Sequence, residues 1–358
     1  MARRVSMLSG VAFVATVVGL QLLTAATGRG YYLTQLTMAA YYTTVVMGLC
    51  LVMGYAGQIS LGHGAFFAIG GYTSAYLTTL DLSGWAAKGV GLTLRKAGVL
   101  VARQDLYGGE CLGVTPWLAF AAAVCLTAAV AFVIGYPALR LKGHYLAMAT
   151  LGFGLIVYRL VLGTERLGGA DGISSVPAWK ILPGLDVCGR SVCRIQNYYV
   201  AFALAGLTLF MVLNLVNSRT GRALRSIHGG ELAANAMGIN TAQYKLKVFL
   251  ISAVIAAVAG CLMTHYNGAI GPSESGAMKS VRYVALVAAG GMANVWGALV
   301  VGGALEFLSL RGCFGSADHA VFGLILILIV ALVPEGPLRP LGRGVVRLFR
   351  AVTGRAGA

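Results

Sequence analysis

Acidic side chains are scarce in this chain, with 11 Asp and Glu among 358 residues against 27 Lys and Arg. Charged residues make up only 11% of the whole and apolar ones 58%, with a mean hydropathy of +0.81, which is too little polar surface to cover a soluble core. Also missing is any G-x-x-x-x-G-K-[ST] phosphate loop, so the chain does not hold ATP in that manner. Its five histidines, His63, His144, His228, His265 and His319, are scattered over different segments. No Ser/His/Asp set, paired carboxylates or metal-spaced His/Cys group accompanies them, which argues against an enzyme and against a bound metal or cofactor. The basic excess does not mark a nucleic-acid surface, because it sits in loops between apolar runs rather than on a soluble face.

The runs themselves are the main content. Charge-poor stretches of about 20 residues, the length that crosses hydrocarbon as a helix, recur along the chain. They fall at 5–25, 31–53, 58–80, 116–136, 143–162, 198–217, 248–269, a Gly-broken stretch 281–311, and 319–333. The expected fold is an all-α integral membrane protein with about ten transmembrane or half-membrane helices. Residues 1–30 read as a signal anchor retained as the first helix. The small residues Thr24 to Thr27 leave a cleaved signal peptide as the other reading.

Loop charge sets the orientation. The N-terminal tail and segment 137–144 each carry +2, and loop 218–247 and the tail 334–358 each carry +4, which places them, and both termini, in the cytoplasm. Loops 81–115, 163–197 and 270–282 carry +1 each and 311–318 carries none, so they belong outside. Alternation then requires the stretch 281–311 to cross twice or re-enter. Gly290, Gly291 and Gly297 around Ala293 and Asn294 permit a turn between two short half-helices; one long tilted helix is the competing reading. Cys188 and Cys193 share one of the outer loops and form a possible disulfide if that side is oxidising.

Loop 218–247 reads as two short helices. The second begins at Glu231, an acid suited to a first turn, and ends at Gly238 in a left-handed cap; Asn240 and Gln243 then launch the next span. A short helix held between two spans is a lever that another protein can push. At the start of the run 58–80 lie Gln58, Ser60 and His63, polar groups that in a membrane want partners or a watery path. Pathway residues and mere helix caps are both open readings of them. Ser252, Ala256 and Gly260 form a stripe of small residues for close helix packing.

Several of these segments carry a resemblance. The pattern Glu231-x-Ala233-Ala234-x-x-x-Gly238 looks like the coupling loop by which permeases of ABC importers dock on their ATPases. Together with GYAGQISLGHGAFFAIGGYT at 54–73, LRLKGHYLAMATLGFG at 139–154, GADGI at 169–173 and GGMANVWG at 290–297, the chain resembles the LivM type of branched-chain amino acid ABC transporter permease over roughly 35–340. The resemblance implies a permease domain at 31–340, with an extracytoplasmic insertion at 84–113 and a basic cytoplasmic tail at 341–358. It implies a bacterial inner-membrane importer of leucine, isoleucine and valine that works with two ATPases holding ATP and Mg, a second permease and a periplasmic binding protein. Gly221, Arg222, Arg225, Glu231, Ala233, Ala234 and Gly238 would be the ATPase-coupling residues, with Glu231 and the two arginines pairing across that interface.

The insertion at 84–113, and Leu167 in place of a more typical Thr, depart from the family pattern. A sibling group with a similar pattern handles urea and short amides, and remains an alternative. An ion-coupled secondary transporter is another, with Glu306 as the one carboxylate well inside a span.

Overall fold

The computed structural model describes residues 2–83, 100–104, 110–141, 143–182, 184–312 and 318–332. Residues 84–99 and 105–109 of the expected insertion, and the tail 341–358, lie outside the described residues. Twelve α-helices are present among the described residues: α1 (Ala2–Ala26), α2 (Tyr31–Cys50), α3 (His63–Thr79), α4 (Pro116–Ala138), α5 (His144–Gly163), α6 (Arg194–Asn217), α7 (Arg219–Gly229), α8 (Glu231–Ala236), α9 (Thr241–Asn267), α10 (Ala277–Gly290), α11 (Val295–Leu310) and α12 (Asp318–Leu332). All but α7 and α8 coincide with the apolar runs, so the expectation of about ten membrane or half-membrane helices holds. Five segments, Tyr31–Tyr55, Pro116–Ala138, His144–Gly163, Ser191–Asn217 and Thr241–Asn267, are individually long and apolar enough to cross a bilayer.

Burial sorts these five into centre and rim. The apolar window of Tyr31–Tyr55 is 89% buried and that of Thr241–Asn267 is 67%, whereas the other three are only 28–33% buried. The rim helices turn apolar side chains such as Val133, Ile156, Leu207 and Phe210 outward, as hydrocarbon permits and water does not. Helix α3 lies along α9 because both present glycine at the seam. A Cβ at Gly70 would meet the Ala257 Cα at 2.6 Å, and one at Gly260 would overlap the Phe67 carbonyl. The small-residue stripe Ser252, Ala256 and Gly260 is wholly buried, as expected of a packing face.

Two short ribbons accompany the helices. In the insertion, β1 (Leu100–Gln104) pairs antiparallel with β2 (Glu110–Val114), Leu100 opposite Val114. The Leu82 amide donates to the Leu112 carbonyl at 2.9 Å, tying this ribbon to the end of α3. In the second ribbon, β3 (Trp179–Leu182) pairs with β4 (Leu185–Val187), next to the two loop cysteines. The Asn197 side-chain amide donates to the carbonyls of Cys188 (2.6 Å) and Cys193 (2.9 Å), and both cysteines are free thiols in this structure.

Among the described residues, the backbone leaves the helical state at three places inside the bundle. The run expected to start at 58 becomes helix only at His63. A π-helical turn, Leu51–Tyr55, ends α2; Gly57 takes a left-handed φ of 67°, and residues 58–62 run without regular structure, the Leu61 amide donating to Thr150 Oγ1 at 2.9 Å. After α9 the chain turns back through Gly268, and Ile173 and Ile270 exchange backbone hydrogen bonds before a 3-10 turn, Pro272–Ser275. The stretch 281–311 is two helices, α10 and α11, not one. Gly290 and Gly297 approach so closely that a Cβ on either would strike the other's backbone. The turn between them is held by the Cys50 thiol donating to the Met292 carbonyl (3.3 Å) and the Tyr55 hydroxyl to that of Ala293 (2.8 Å). The far end of α11 returns to the start of α2, where Gln35 Nε2 donates to the Leu310 carbonyl.

Replacing Gly260 by Val should force α3 and α9 apart and cost about 3 kcal/mol or more. Gly152, with nothing near its missing Cβ, is the control, and Gly152→Ala should melt like the parent. Thermal melts of the purified protein check both; equal melting of Gly260→Val and parent would refute the seam.

Candidate coupling handle and membrane path

The handle starts where α6 stops. Ser218 Oγ accepts from the Thr220 amide at 3.1 Å and caps α7, while Gly221 is pressed against the end of α6 so tightly that a Cβ would run into the Val216 carbonyl. Ala223, Leu224 and Ile227 bury one face of α7, leaving Arg222 and Arg225 on the exposed one, where Arg225 Nη2 also donates to the Val216 carbonyl at 3.3 Å. Gly230 breaks the helix and α8 follows at a new angle. Its end is a Schellman turn, with the Ile239 amide donating to the Ala234 carbonyl (3.0 Å), the Gly238 amide to that of Asn235 (2.9 Å), and Gly238 at φ 80°. Asn240 Oδ1 then accepts from the Gln243 amide at 3.2 Å and starts α9.

What fixes α8 in place is an ion pair. Glu231 Oε1 lies 2.6 Å from Lys245 Nζ, whose side chain is only 8% exposed, and the Thr241 hydroxyl joins them by donating to Glu231 (3.3 Å) and Asn235 Oδ1 (3.1 Å). Glu231, expected to pair with a partner protein, therefore spends its charge within the chain, tying the handle to the first turns of the central helix α9. Ala234 packs inward and Ala233 faces out. Two large apolar side chains are exposed here, Leu232 on α8 (77%) and Met237 at its C-cap (83%), beside the exposed Asn235. Sequence reading passed over both, although an apolar residue in an otherwise polar loop was the available signal. Lys245 was counted there only as loop charge.

Gln58, Ser60 and His63 are all buried, and the structure divides them. Ser60 Oγ is 3.2 Å from His63 Nδ1, and His63 Nε2 is 2.7 Å from Ser252 Oγ on α9, so both ring nitrogens are engaged by hydroxyls. Gln58 points elsewhere, into a cavity of about 140 Å³ that it shares with His228, Glu231 and Lys245 at the root of the handle. Its carboxamide has no hydrogen-bonding partner among the described residues. Glu306 is not a free carboxylate: Arg282 Nε lies 3.1 Å from it.

Comparison with known proteins identifies the family. Residues 31–331 match the family model described as branched-chain amino acid transport system / permease component. The chain is 31% identical to the high-affinity branched-chain amino acid transport system permease protein LivM of Salmonella typhimurium and to that of Escherichia coli K12. Each match covers 87% of this chain and 71% of the relative. It is 27% identical to the permease protein BraD of Pseudomonas aeruginosa, over 86% of this chain and 96% of that one. No solved structure matches. A membrane bundle closed around α2 and α9, carrying a pinned handle, is thus found on a chain that belongs to the branched-chain amino acid transport permease family, a family of transport subunits rather than enzymes.

Proposed function

We propose that this chain is one permease subunit of an ABC importer that moves leucine, isoleucine and valine across a bacterial inner membrane, its N- and C-termini in the cytoplasm. The observation that carries the reading is the handle: a short helix, braced by a largely buried ion pair against the central helix, with two exposed apolar residues and no nucleotide loop of its own. Such a helix transmits force only if something outside pushes it, so ATP and Mg belong on partner ATPases. Leu232 and Met237 seat in a cleft of the ATPase, and Arg222, Arg225 and Ala233 border the contact. Gly221, Ala234 and Gly238 keep the handle's shape from within.

Closure of the ATPases displaces α8, Lys245 carries that displacement into α9, and α3 follows because the glycine seam leaves no slack between them. Ser60, His63 and Ser252 sit on the elements that move. Solute enters from a periplasmic binding protein, and a second permease completes the path.

Radiolabelled leucine uptake into vesicles holding the full complex, with ATP inside and loaded binding protein outside, tests the assignment. The expected result is uptake that stops without ATP. Concentrative uptake by this chain alone on an ion gradient would sink it. Within the same assay, Glu231→Ala or Lys245→Ala leaves one charge of a mostly buried pair alone, at a cost on the order of 3 kcal/mol locally. Leucine uptake should fall about tenfold while ATPase subunits still co-purify, and the exchange Glu231→Lys with Lys245→Glu should recover most of it. Leu232→Asp should instead weaken co-purification of the ATPases. Cys188 and Cys193 lie on the periplasmic side in this orientation, and we expect them to be disulfide-bonded there; maleimide should label neither until the protein is reduced, and labelling beforehand would exclude the bond.

A further inference from the structure

Four charged side chains meet beside the middle of α2. Tyr42 is the twelfth residue of α2, which places it about 16 Å along that helix, near the middle of a hydrocarbon layer about 30 Å thick. Its hydroxyl donates to Glu274 Oε1 at 3.0 Å and accepts from Lys279 Nζ at 2.8 Å, and Lys279 is itself 3.1 Å from Glu274. One turn further along α10, Arg282 pairs with Glu306 of α11. Glu274 belongs to the 3-10 turn that follows the break after α9, and Lys279 to the first turn of α10, so the group is assembled at an interrupted helix. The four formal charges cancel.

Three features distinguish this cluster from a closed structural brace. Lys279 and Arg282 keep 26% and 22% of their side-chain surface exposed, on a face of α10 that also exposes Met278 (70%) and Val281 (46%). Charges on a lateral face at this depth cannot stand against acyl chains, so the face borders water and protein. Second, Glu274 Oε2 and the hydroxyls of Tyr72 and Tyr283, the last two almost wholly buried, have no hydrogen-bonding partner among the described residues. Tyr283 is beside Tyr42, with ring centroids 6.2 Å apart. Such buried groups are normally satisfied by protein, ordered water or a bound ligand. Third, Glu274 lines a cleft of about 60 Å³ whose other walls include Phe67, Met263 and Ile270, apolar surface next to the charges.

We propose that Glu274 and Lys279 hold a zwitterionic amino acid during its passage, in a watery path that runs between Met278 and Val281 of this chain and a second permease. This deepens the importer reading and rests on it. The substrate ammonium takes the place of Lys279 at Glu274 and meets the free Oε2. The carboxylate takes the displaced Lys279 and the first amides of α10, whose N-cap, Gly276, offers them no side chain. The branched side chain lies against Phe67. The site stays neutral before and after binding, because a zwitterion inserts into an ion pair without adding charge.

The test uses the complete complex in vesicles with its binding protein. Glu274→Gln and Lys279→Gln should each lower maximal leucine uptake by about tenfold while changing ATP hydrolysis stimulated by loaded binding protein less than about twofold. The reversal Glu274→Lys with Lys279→Glu preserves the ion pair but offers each charge to the wrong end of the substrate, so uptake should stay low. Restoration of uptake by the reversal would mean a brace, not a site. Met278→Cys provides a readout that does not depend on those variants. A water-soluble maleimide should label it, and leucine with loaded binding protein should slow the labelling; a cysteine there that resists this reagent faces lipid and overturns the proposal. Should the unmodified complex carry a solute other than leucine, the substrate reading alone fails, and the same variants are measured with that solute.

Discussion

A backbone amide inside a bilayer has no water to turn to, and this governs the architecture more than any side-chain contact. Regular helices meet the requirement by themselves. The three interruptions among the described residues do not, and each is settled by a neighbour: the Leu61 amide by Thr150, the strand-like passage at Ile270 by Ile173, and the carbonyls of Met292 and Ala293 by Cys50 and Tyr55. Leaving one such group unmet costs several kcal/mol in hydrocarbon. The breaks therefore cannot be moved to the rim of the bundle. Two of them adjoin the end of α2, the one that follows its π-helical turn and the one held by Cys50 and Tyr55.

The same enclosure explains why glycine is placed where it is. Gly54, Gly70, Gly260, Gly290 and Gly297 each face the backbone of another segment at a separation that leaves no room for a Cβ. Helices in such contact have few intermediate positions open to them, because an interior packed to crystal density moves as blocks. Helices α3 and α9 form one block, and the ion pair of Glu231 with Lys245 fastens α8 to its end. In the coupling proposed above, neither half works alone. A stiff seam without the pinned handle has nothing to drive it, and a pinned handle on a loosely packed helix would lose its motion to bending.

Much of this was legible in the sequence. Apolar run length located the membrane helices to within a few residues, and the Gly290 to Gly297 pattern together with loop charge demanded the turn that divides α10 from α11. The Glu231 to Gly238 helix, down to the left-handed glycine, follows from capping chemistry that is local. What escaped was non-local. Nothing in the run 58–80 says that its first residues lie outside the helix, because the hydrogen bond that stabilises the irregular segment comes from Thr150, 89 residues away along the chain. Lys245 looked like one more cytoplasmic charge, since a pairing partner fourteen residues earlier becomes visible only when α8 folds back. Lys279 and Arg282 were assigned to an outer loop on charge alone, although they stand on α10 with carboxylates from the preceding turn and from α11.

That last misplacement bears on how a transport path is kept from leaking. An unpaired charge midway across a bilayer would draw counter-ions and water, and its desolvation would disfavour the packed state. Pairing Lys279 with Glu274 and Arg282 with Glu306 removes the net field while leaving polar groups within reach of the proposed path. A lone cation entering such a site meets a cation already in place on each carboxylate, and an anion finds the arginine and lysine likewise occupied. Only a molecule bearing both charges a few ångströms apart can replace a pair at both ends at once. The selectivity of an ion pair for zwitterions over simple ions follows from that exchange, and it requires no charge that the resting membrane protein must carry unpaired.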